Sequence, residues 1–342
     1  MIILGIETSC DETAAAIVEN KRGVFKVRSN VVSSQIKIHA KTGGVVPEVA
    51  AREHIKNILP VVEQALKEGK ATQKDIDAIA VTTGPGLITS LIVGVETAKT
   101  LAHVWNKPVV SVNHIEAHLY ANFASNKKVS FPLLALIVSG GHTELILMKK
   151  HGHYKLIGKT RDDAAGEAFD KVAKILKLGY PGGPIISKLA NKGNARAFDL
   201  PRPMLKDKTY DFSFSGLKTA VLYESQSKKH NFNSKKKIAD MSASFEQATV
   251  DVLIKKTTRA TKEHKIKTVL LAGGVAANKK LRADLKKELQ TELPKVELLL
   301  PDLDYCTDNA AMIAVAGYFH ARKKEFTQIS KIQADPNWEL SS

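Results

Sequence analysis

At 342 residues, with 44% hydrophobic and 25% charged side chains, the chain is long enough for two domains and too evenly mixed to be a disordered or collagen-like polymer. Lys and Arg number 51 against 35 Asp and Glu, a net charge of +16, and residues 1–150 hold only 17 basic and 13 acidic side chains, so the second half carries most of the field. No apolar run reaches the roughly 20 residues that a membrane-spanning helix needs, and Cys10 and Cys306 are too few and too far apart to frame a disulfide scaffold, which points to a reducing compartment.

Met1 is followed at once by a strand-like run, with no Arg-rich or cleavable leader, so a cytoplasmic protein is expected. Residues 4–18 read as strand, polar turn and strand, a hairpin turning at residues 9–12. Val49, Ile55, Ile58, Leu59, Val62 and Leu66 mark an amphipathic helix that Pro60 should kink. Residues 76–81 then feed the turn Thr83-Gly84-Pro85-Gly86 and a helical stretch to Leu101. Residues 133–148 repeat the hairpin around Ser139-Gly140-Gly141-His142. Ala168, Phe169, Val172, Ile175 and Leu176 mark a second amphipathic helix, stopped by Gly179 and Pro181. Residues 268–271 feed Ala272-Gly273-Gly274 and a helix whose Ala277, Leu281, Leu285 and Leu289 share one face. Hairpin, strand, glycine loop and helix thus occur twice. This duplication predicts an α/β protein of two lobes around a cleft, residues 1–130 and 131–325 with a tail at 326–342, and a basic insertion at about 200–237 in the second lobe.

Glycine turns at strand ends let backbone N–H groups approach a phosphate, and a following helix adds its positive end. Gly84-Pro85-Gly86, the Ser139–Gly141 turn and Gly273-Gly274 are three such turns, and Gly182-Gly183 is a further pair; no P-loop or dinucleotide glycine fingerprint is present. His114 and His118 stand four apart, on one helix face, and can share a metal, although among 11 histidines this spacing also arises by chance. Glu116 lies on another face, so it cannot serve as the base of a zinc peptidase. A third ligand must come from elsewhere. Asp308 is a candidate, but spacing alone reads it as the N-cap of the helix beginning at Ala310. Glu7, Asp11 and Glu12 form one acidic group; Asp162, Asp163, Glu167 and Asp170 form another. Asp162 and Asp163 suit caps for the helix that follows them, whereas Asp170 adjoins the buried stripe at Phe169, where an unpaired carboxylate is costly. No nucleophile motif is present, and the acids around Cys10 disfavour its thiolate. Lysine clusters at 206 and 208, 228–230, 235–237, 279–282 and 322–324 suit phosphate backbones, or solubility alone.

Residues 4–13 (Leu-Gly-Ile-Glu-Thr-Ser-Cys-Asp-Glu-Thr), 43–48 (Gly-Gly-Val-Val-Pro-Glu), 84–87 (Gly-Pro-Gly-Leu), 114–118, 138–143 (Val-Ser-Gly-Gly-His-Thr), 163–171 (Asp-Ala-Ala-Gly-Glu-Ala-Phe-Asp-Lys), 211–219 (Asp-Phe-Ser-Phe-Ser-Gly-Leu-Lys-Thr), 272–275 and 306–309 (Cys-Thr-Asp-Asn) together resemble the universal tRNA threonylcarbamoyladenosine family. The likeness runs in order from residue 2 to about residue 320 and is greater to the bacterial and mitochondrial branch, TsaD and Qri7, than to the archaeal and eukaryotic cytosolic Kae1 branch.

The resemblance implies a two-lobed actin-like ATPase (ASKHA) fold and transfer of threonylcarbamoyl from threonylcarbamoyl-AMP to N6 of adenosine 37 in tRNAs that read codons beginning with A. It implies one Fe2+ or Zn2+ ion held by His114, His118 and Asp308. Substrate contacts carry over to Ile137, Val138, Ser139, Gly140, Gly141, Asp170, Gly183 and Asn278. The Kae1 branch has a further carboxylate near the position of Ser187, so no acidic contact is assigned there. An already activated carbamoyl-phosphate anhydride needs no covalent nucleophile, and Asp11 or Glu12 is expected to take the N6 proton. Expected partners are the tRNA anticodon loop with TsaB-like and TsaE-like subunits in a bacterial system, or a second copy in a Qri7-like homodimer. The competing classes are a small-molecule kinase or ATPase of the same fold, a metallopeptidase, and a non-catalytic tRNA-binding subunit.

Overall fold

Both expected hairpins form. β1 (Ile2–Glu7) and β2 (Glu12–Lys21) pair antiparallel, with Leu4 opposite Ile17 and Glu7 opposite Ala14. β3 (Val24–Ser34) extends the sheet beyond β2. After a short α1 (Ile36–His39), α2 (Pro47–Glu68) runs unbroken through Pro60. β4 (Ala78–Gly84) lies parallel to β1, α3 (Ile88–Trp105) follows, and β5 (Val109–Asn113) lies parallel to β4 before α4 (His114–Ala121). The sheet order is β3-β2-β1-β4-β5. Leu4, Ile6, Ile17, Ile79 and Val81 build its core with Ile58, Val62 and Val95 from α2 and α3, as alternating and continuous apolar strand patterns require. The structure is a computed structural model and describes residues 1–125, 129–227, 232 and 234–340.

The second half repeats the plan. β6 (Leu133–Val138), β7 (Thr143–Lys150) and β8 (His153–Lys159) form the antiparallel part. Four helices follow: α5 (Ala165–Ile175), α6 (Gly182–Ala190), α7 (Ser215–Gln226) and α8 (Lys235–Glu263). β9 (Thr268–Ala272) pairs parallel to β6, then come α9 (Lys279–Glu292) and β10 (Glu297–Leu299), parallel to β9. The order β10-β9-β6-β7-β8 is that of the first sheet with the labels exchanged. The expected Ala168–Leu176 helix begins three residues earlier, and the expected Ala277 start is a short 3-10 turn before α9.

The final helix, α10 (Ala310–Arg322), corrects the expected division of the chain. Residues 301–340 cluster with residues 1–128, and residues 129–300 form the other unit, so 301–325 do not belong to the second lobe and 326–340 are no free tail. Small residues explain how α10 reaches the first sheet: a Cβ on Gly5 would lie 2.3 Å from the Ala310 carbonyl oxygen, and one on Gly317 would lie 2.3 Å from the Ala80 Cβ. Ile332 is buried in the first core, and Thr327 N–H donates to the Val109 carbonyl at 2.9 Å.

Candidate functional sites

In the N-terminal unit, α4 begins at His114 because the Asn113 carboxamide oxygen accepts from the N–H groups of Ile115 and Glu116, at 2.9 and 3.2 Å. Asn113 Nδ2 donates to the Trp338 carbonyl at 3.0 Å. One helical turn then stacks His114 and His118 with ring centroids 4.6 Å apart. Asp308 arrives just before α10. The expected cap role falls instead to Asn309, whose side chain accepts from Met312 N–H at 3.1 Å. Asp308 Oδ1 lies 3.6 Å from His114 Nε2 and 3.2 Å from His118 Nε2. The three ligand atoms all fall within 4.8 Å of one another.

The surroundings of this triad favour a cation. His118 is 1% exposed, and neither of its ring nitrogens has a hydrogen-bond partner among the described residues: the Asp308 oxygen is near but not aligned as one. A buried polar group so left costs about 1–3 kcal/mol, which ligation recovers. His114 Nδ1 lies 3.1 Å from Glu7 Oε2 and 3.2 Å from Ser9 Oγ. A carboxylate only accepts, so Nδ1 carries a proton, and Nε2, the atom nearest Asp308, is the one left to ligate a cation. Glu7 is itself held by Thr82 Oγ1 at 2.6 Å and by the Ser9 N–H. Burial alone would push the Glu7 carboxyl up, but His114 and Thr82 hold it below the usual range. Burial disfavours the His114 imidazolium too, yet Asp308 and Glu7 outweigh it and push its pKa up to about 9. Two imidazoles and one carboxylate are a donor set for Fe2+ or Zn2+ rather than Mg2+.

Around this centre, burial and the charges of Asp308 and Asp11 push Glu12 up to about 9. The same causes push the Cys10 thiol far up, which bars a thiolate nucleophile. Glu116 is 3% exposed and pairs with His320 Nε2 at 2.9 Å, tying α4 to α10; a peptidase would have no base there. The Gly84-Pro85-Gly86 turn is not an anion loop. Its Gly86 N–H donates to the Pro336 carbonyl, Asp335 N–H donates to Thr83, and a Cβ on Gly84 would lie 1.9 Å from the Asp335 carbonyl oxygen, so the chain's last segment covers it.

In the C-terminal unit, a cavity of about 490 Å³ is lined by Gly140, Asp170, Gly183, Ser187, Glu246 and Asn278 together with neighbouring apolar and lysine side chains. Four expected substrate residues, Gly140, Asp170, Gly183 and Asn278, therefore share one cavity. Ile137 and Val138 are fully buried core residues of β6, and with Ser139 and Gly141 they are not in its lining. Nothing fills the space where a Cβ on Gly140 or Gly141 would stand, so this loop leaves room for a ligand at its backbone. Asp170 Oδ1 accepts from Gly182 N–H at 2.7 Å, at the start of α6. Asp162 does not cap α5 as expected; its carboxylate accepts from Phe214 and Ser215 N–H and caps α7, while Asp163 pairs with Lys171 and Lys218 at 2.6 and 2.8 Å. Glu246 was missed in the sequence, although it follows a buried Phe245 as Asp170 follows Phe169, the same signal of a carboxylate beside a core aromatic.

The sequence profile of the family described as tRNA N6-adenosine threonylcarbamoyltransferase (TsaD) matches residues 26–315. The enzyme of that name from Geobacillus kaustophilus (strain HTA426) is 54% identical over 92% of this chain and 90% of its own length. Its counterpart from Bacillus subtilis (strain 168) is 52% identical over 100% and 96%. Among solved structures, full-length HypF in its phosphate- and nucleotide-bound form superposes with a TM-score of 0.60 at 15% identity, over 94% of this chain and 46% of that one. The (R)-2-hydroxyglutaryl-CoA dehydratase component A of Acidaminococcus fermentans does so with a TM-score of 0.52 at 16% identity, over 95% and 98%. These two show the actin-like ATPase (ASKHA) α/β fold that the paired sheets display. The extent and identity of the sequence match place this chain in the tRNA N6-adenosine threonylcarbamoyltransferase family, as a transferase that modifies tRNA.

Proposed function

We propose that the donor is threonylcarbamoyl-AMP, that the acceptor is N6 of adenosine 37 in tRNAs reading codons that begin with A, and that His114, His118 and Asp308 hold one Fe2+ or Zn2+ ion. The observation that carries the metal assignment is the buried His118 imidazole with no hydrogen-bond partner among the described residues, beside Asp308 and His114. When bound, such an ion supplies Lewis-acid stabilisation of charge on the donor. The chain's own residues do the rest. The adenylate sits in the C-terminal cavity, with its phosphate at the open Ser139–Gly141 loop, where Ile137 and Val138 contribute backbone only, and its ribose near Asp170, Gly183 and Asn278. N6 attacks the carbamoyl carbon, the bond to the phosphate oxygen breaks, AMP leaves, and the N6 proton passes to Asp11 or Glu12; Glu12 can take it only when ionised, a form that burial and the charges of Asp308 and Asp11 disfavour.

The tRNA is gripped by lysine clusters. Lys235, Lys236 and Lys237 occupy the first turn of α8, and Lys279 and Lys280 that of α9. The helix dipole disfavours cations at both places; Lys236 pairs with Asp240 at 2.6 Å and Lys280 with Asp284 at 2.9 Å, and the remaining positive charge suits a phosphate backbone. Lys206 and Lys208 add to this surface; Lys228, Lys229 and His230 lie outside the described residues. No helix among the described residues is long and apolar enough to cross a membrane, and the enzyme works in the cytoplasm beside its tRNA. TsaB-like and TsaE-like subunits, or a second copy as in Qri7, dock on the N-terminal unit, where α2 exposes Ile55 and Leu59 and α3 exposes Ile88 and Ile92. The decisive assay supplies the metal-loaded chain with unmodified tRNA, threonine, bicarbonate, ATP and the adenylate-forming enzyme, with and without the helper subunits, and looks for modified adenosine. Product from wild type and none from Asp308→Ala, with tRNA binding retained, is the expected result; equal loss of binding and transfer would leave only a tRNA-binding role for the triad.

A further inference from the structure

One wall of the C-terminal cavity has its hydrogen-bond directions fixed. Glu246, on α8, is 3% exposed yet reaches the cavity. Its Oε1 accepts twice, from Ser187 Oγ at 2.6 Å and from Asn278 Nδ2 at 2.7 Å. Asn278 Nδ2 also donates to Ser187 Oγ at 2.9 Å, and Asn278 Oδ1 accepts from Leu281 N–H at 2.8 Å as the cap of α9. The amide orientation is therefore set, because a backbone N–H demands the oxygen and a carboxylate demands the nitrogen. Both Asn278 hydrogens and the Ser187 hydroxyl hydrogen are spent inside the triangle. What remains toward the cavity is acceptors alone: Glu246 Oε2, which makes no hydrogen bond among the described residues, and the second lone pairs of Asn278 Oδ1 and Ser187 Oγ.

A ligand group placed there must bring hydrogens, and a phosphate would meet like charge. We infer that Glu246 is a sugar-hydroxyl acceptor of this cavity: Oε2 takes one hydroxyl of a nucleotide's ribose, Oε1 locks Ser187 and Asn278 behind it, and Asp170 is left to the neighbouring hydroxyl. The inference rests on reading the cavity as the adenylate site. Calorimetry on the full chain with AMP, 2′-deoxy-AMP and 3′-deoxy-AMP tests it. Removing a hydroxyl is expected to weaken wild-type binding about tenfold or more, the worth of a hydrogen bond to a charged group. Glu246→Gln keeps the shape and can keep the Ser187 and Asn278 contacts through its amide oxygen. In it, AMP should weaken by a similar factor, and discrimination against one deoxy nucleotide, not both, should fall to about threefold or less. Glu246→Asp, which withdraws the charge by one methylene, should act the same way and serves where the Gln variant folds poorly. Full discrimination against both deoxy nucleotides in a folded variant overturns the role of Glu246 and leaves the adenylate site standing. AMP that fails to bind the wild-type chain overturns both.

Discussion

At the end of β1 the chain places Glu7; at the corresponding end of β6 it places Val138. The two strands have the same neighbours in sheets of the same order, yet from these residues onward the units diverge. Glu7 is completely buried and orients an imidazole, so the N-terminal unit draws polar side chains into a dry cluster. Val138 closes a core, and the loop after it opens onto backbone and glycine, so the C-terminal unit offers a cavity with acceptor side chains along one wall and a loop that can donate. One duplicated scaffold thus carries a buried polar cluster in one copy and an open cavity in the other, and the difference lies in strand-end residues rather than in the fold.

The strongest way to break this contrast is at the triad. His118→Ala or Asp308→Ala should abolish stoichiometric metal in elemental analysis and cut transfer by more than the ~10–100-fold that changes behind a ligand typically cost, while AMP binding to the other unit stays within about twofold. Loss of AMP binding in these variants would show that the division of labour is wrong. Glu7→Gln comes next. It keeps the fold of the hairpin but weakens the acceptor behind His114, and metal affinity measured against a competing chelator should fall ~10–100-fold; no change would make Glu7 a packing residue.

The pairing of these sites was only partly legible in the sequence. Hairpins and glycine turns could be read because their periodicity is local. Asp308 could not be separated from Asn309, since both residue types cap helices equally well and only the seating of α10 against Gly5 decides which one turns toward the histidines. The Gly84 turn looked like its partners because nothing nearby in sequence shows that residues 335–338 return to cover it. Asp162 was assigned to the nearest helix, whereas its partners stand some 50 positions on, at Phe214 and Ser215.

Smaller effects sharpen the comparison. Asn309→Ala removes a cap from α10 and should cost about 1 kcal/mol in urea unfolding, with metal affinity reduced because Asp308 loses its fixed approach; unaltered affinity would mean that the cap and the ligand act independently. The smallest effect lies in the C-terminal unit. Burial pushes the Asp163 carboxyl up, but hydrogen bonds from Lys171 and Lys218 outweigh it and hold the folded pKa below its ordinary value. Its contribution is therefore present above the unfolded pKa and is lost as pH falls through the folded one. Asp163→Asn should lower stability at neutral pH and flatten the acid limb of a plot of urea midpoint against pH; a limb parallel to wild type would rule this out.

Because Asp308 and α10 belong to the unit that begins the chain, the order of synthesis inverts the order of completion. On the ribosome the continuous stretch 129–300 has all its strands before the opening unit has its last helix, and the surface over Gly5 and Ala80 stays bare until then. On the metal assignment proposed above, ion capture would require synthesis to have passed Asp308: a chain stopped before it possesses the histidines but not the aspartate of the set.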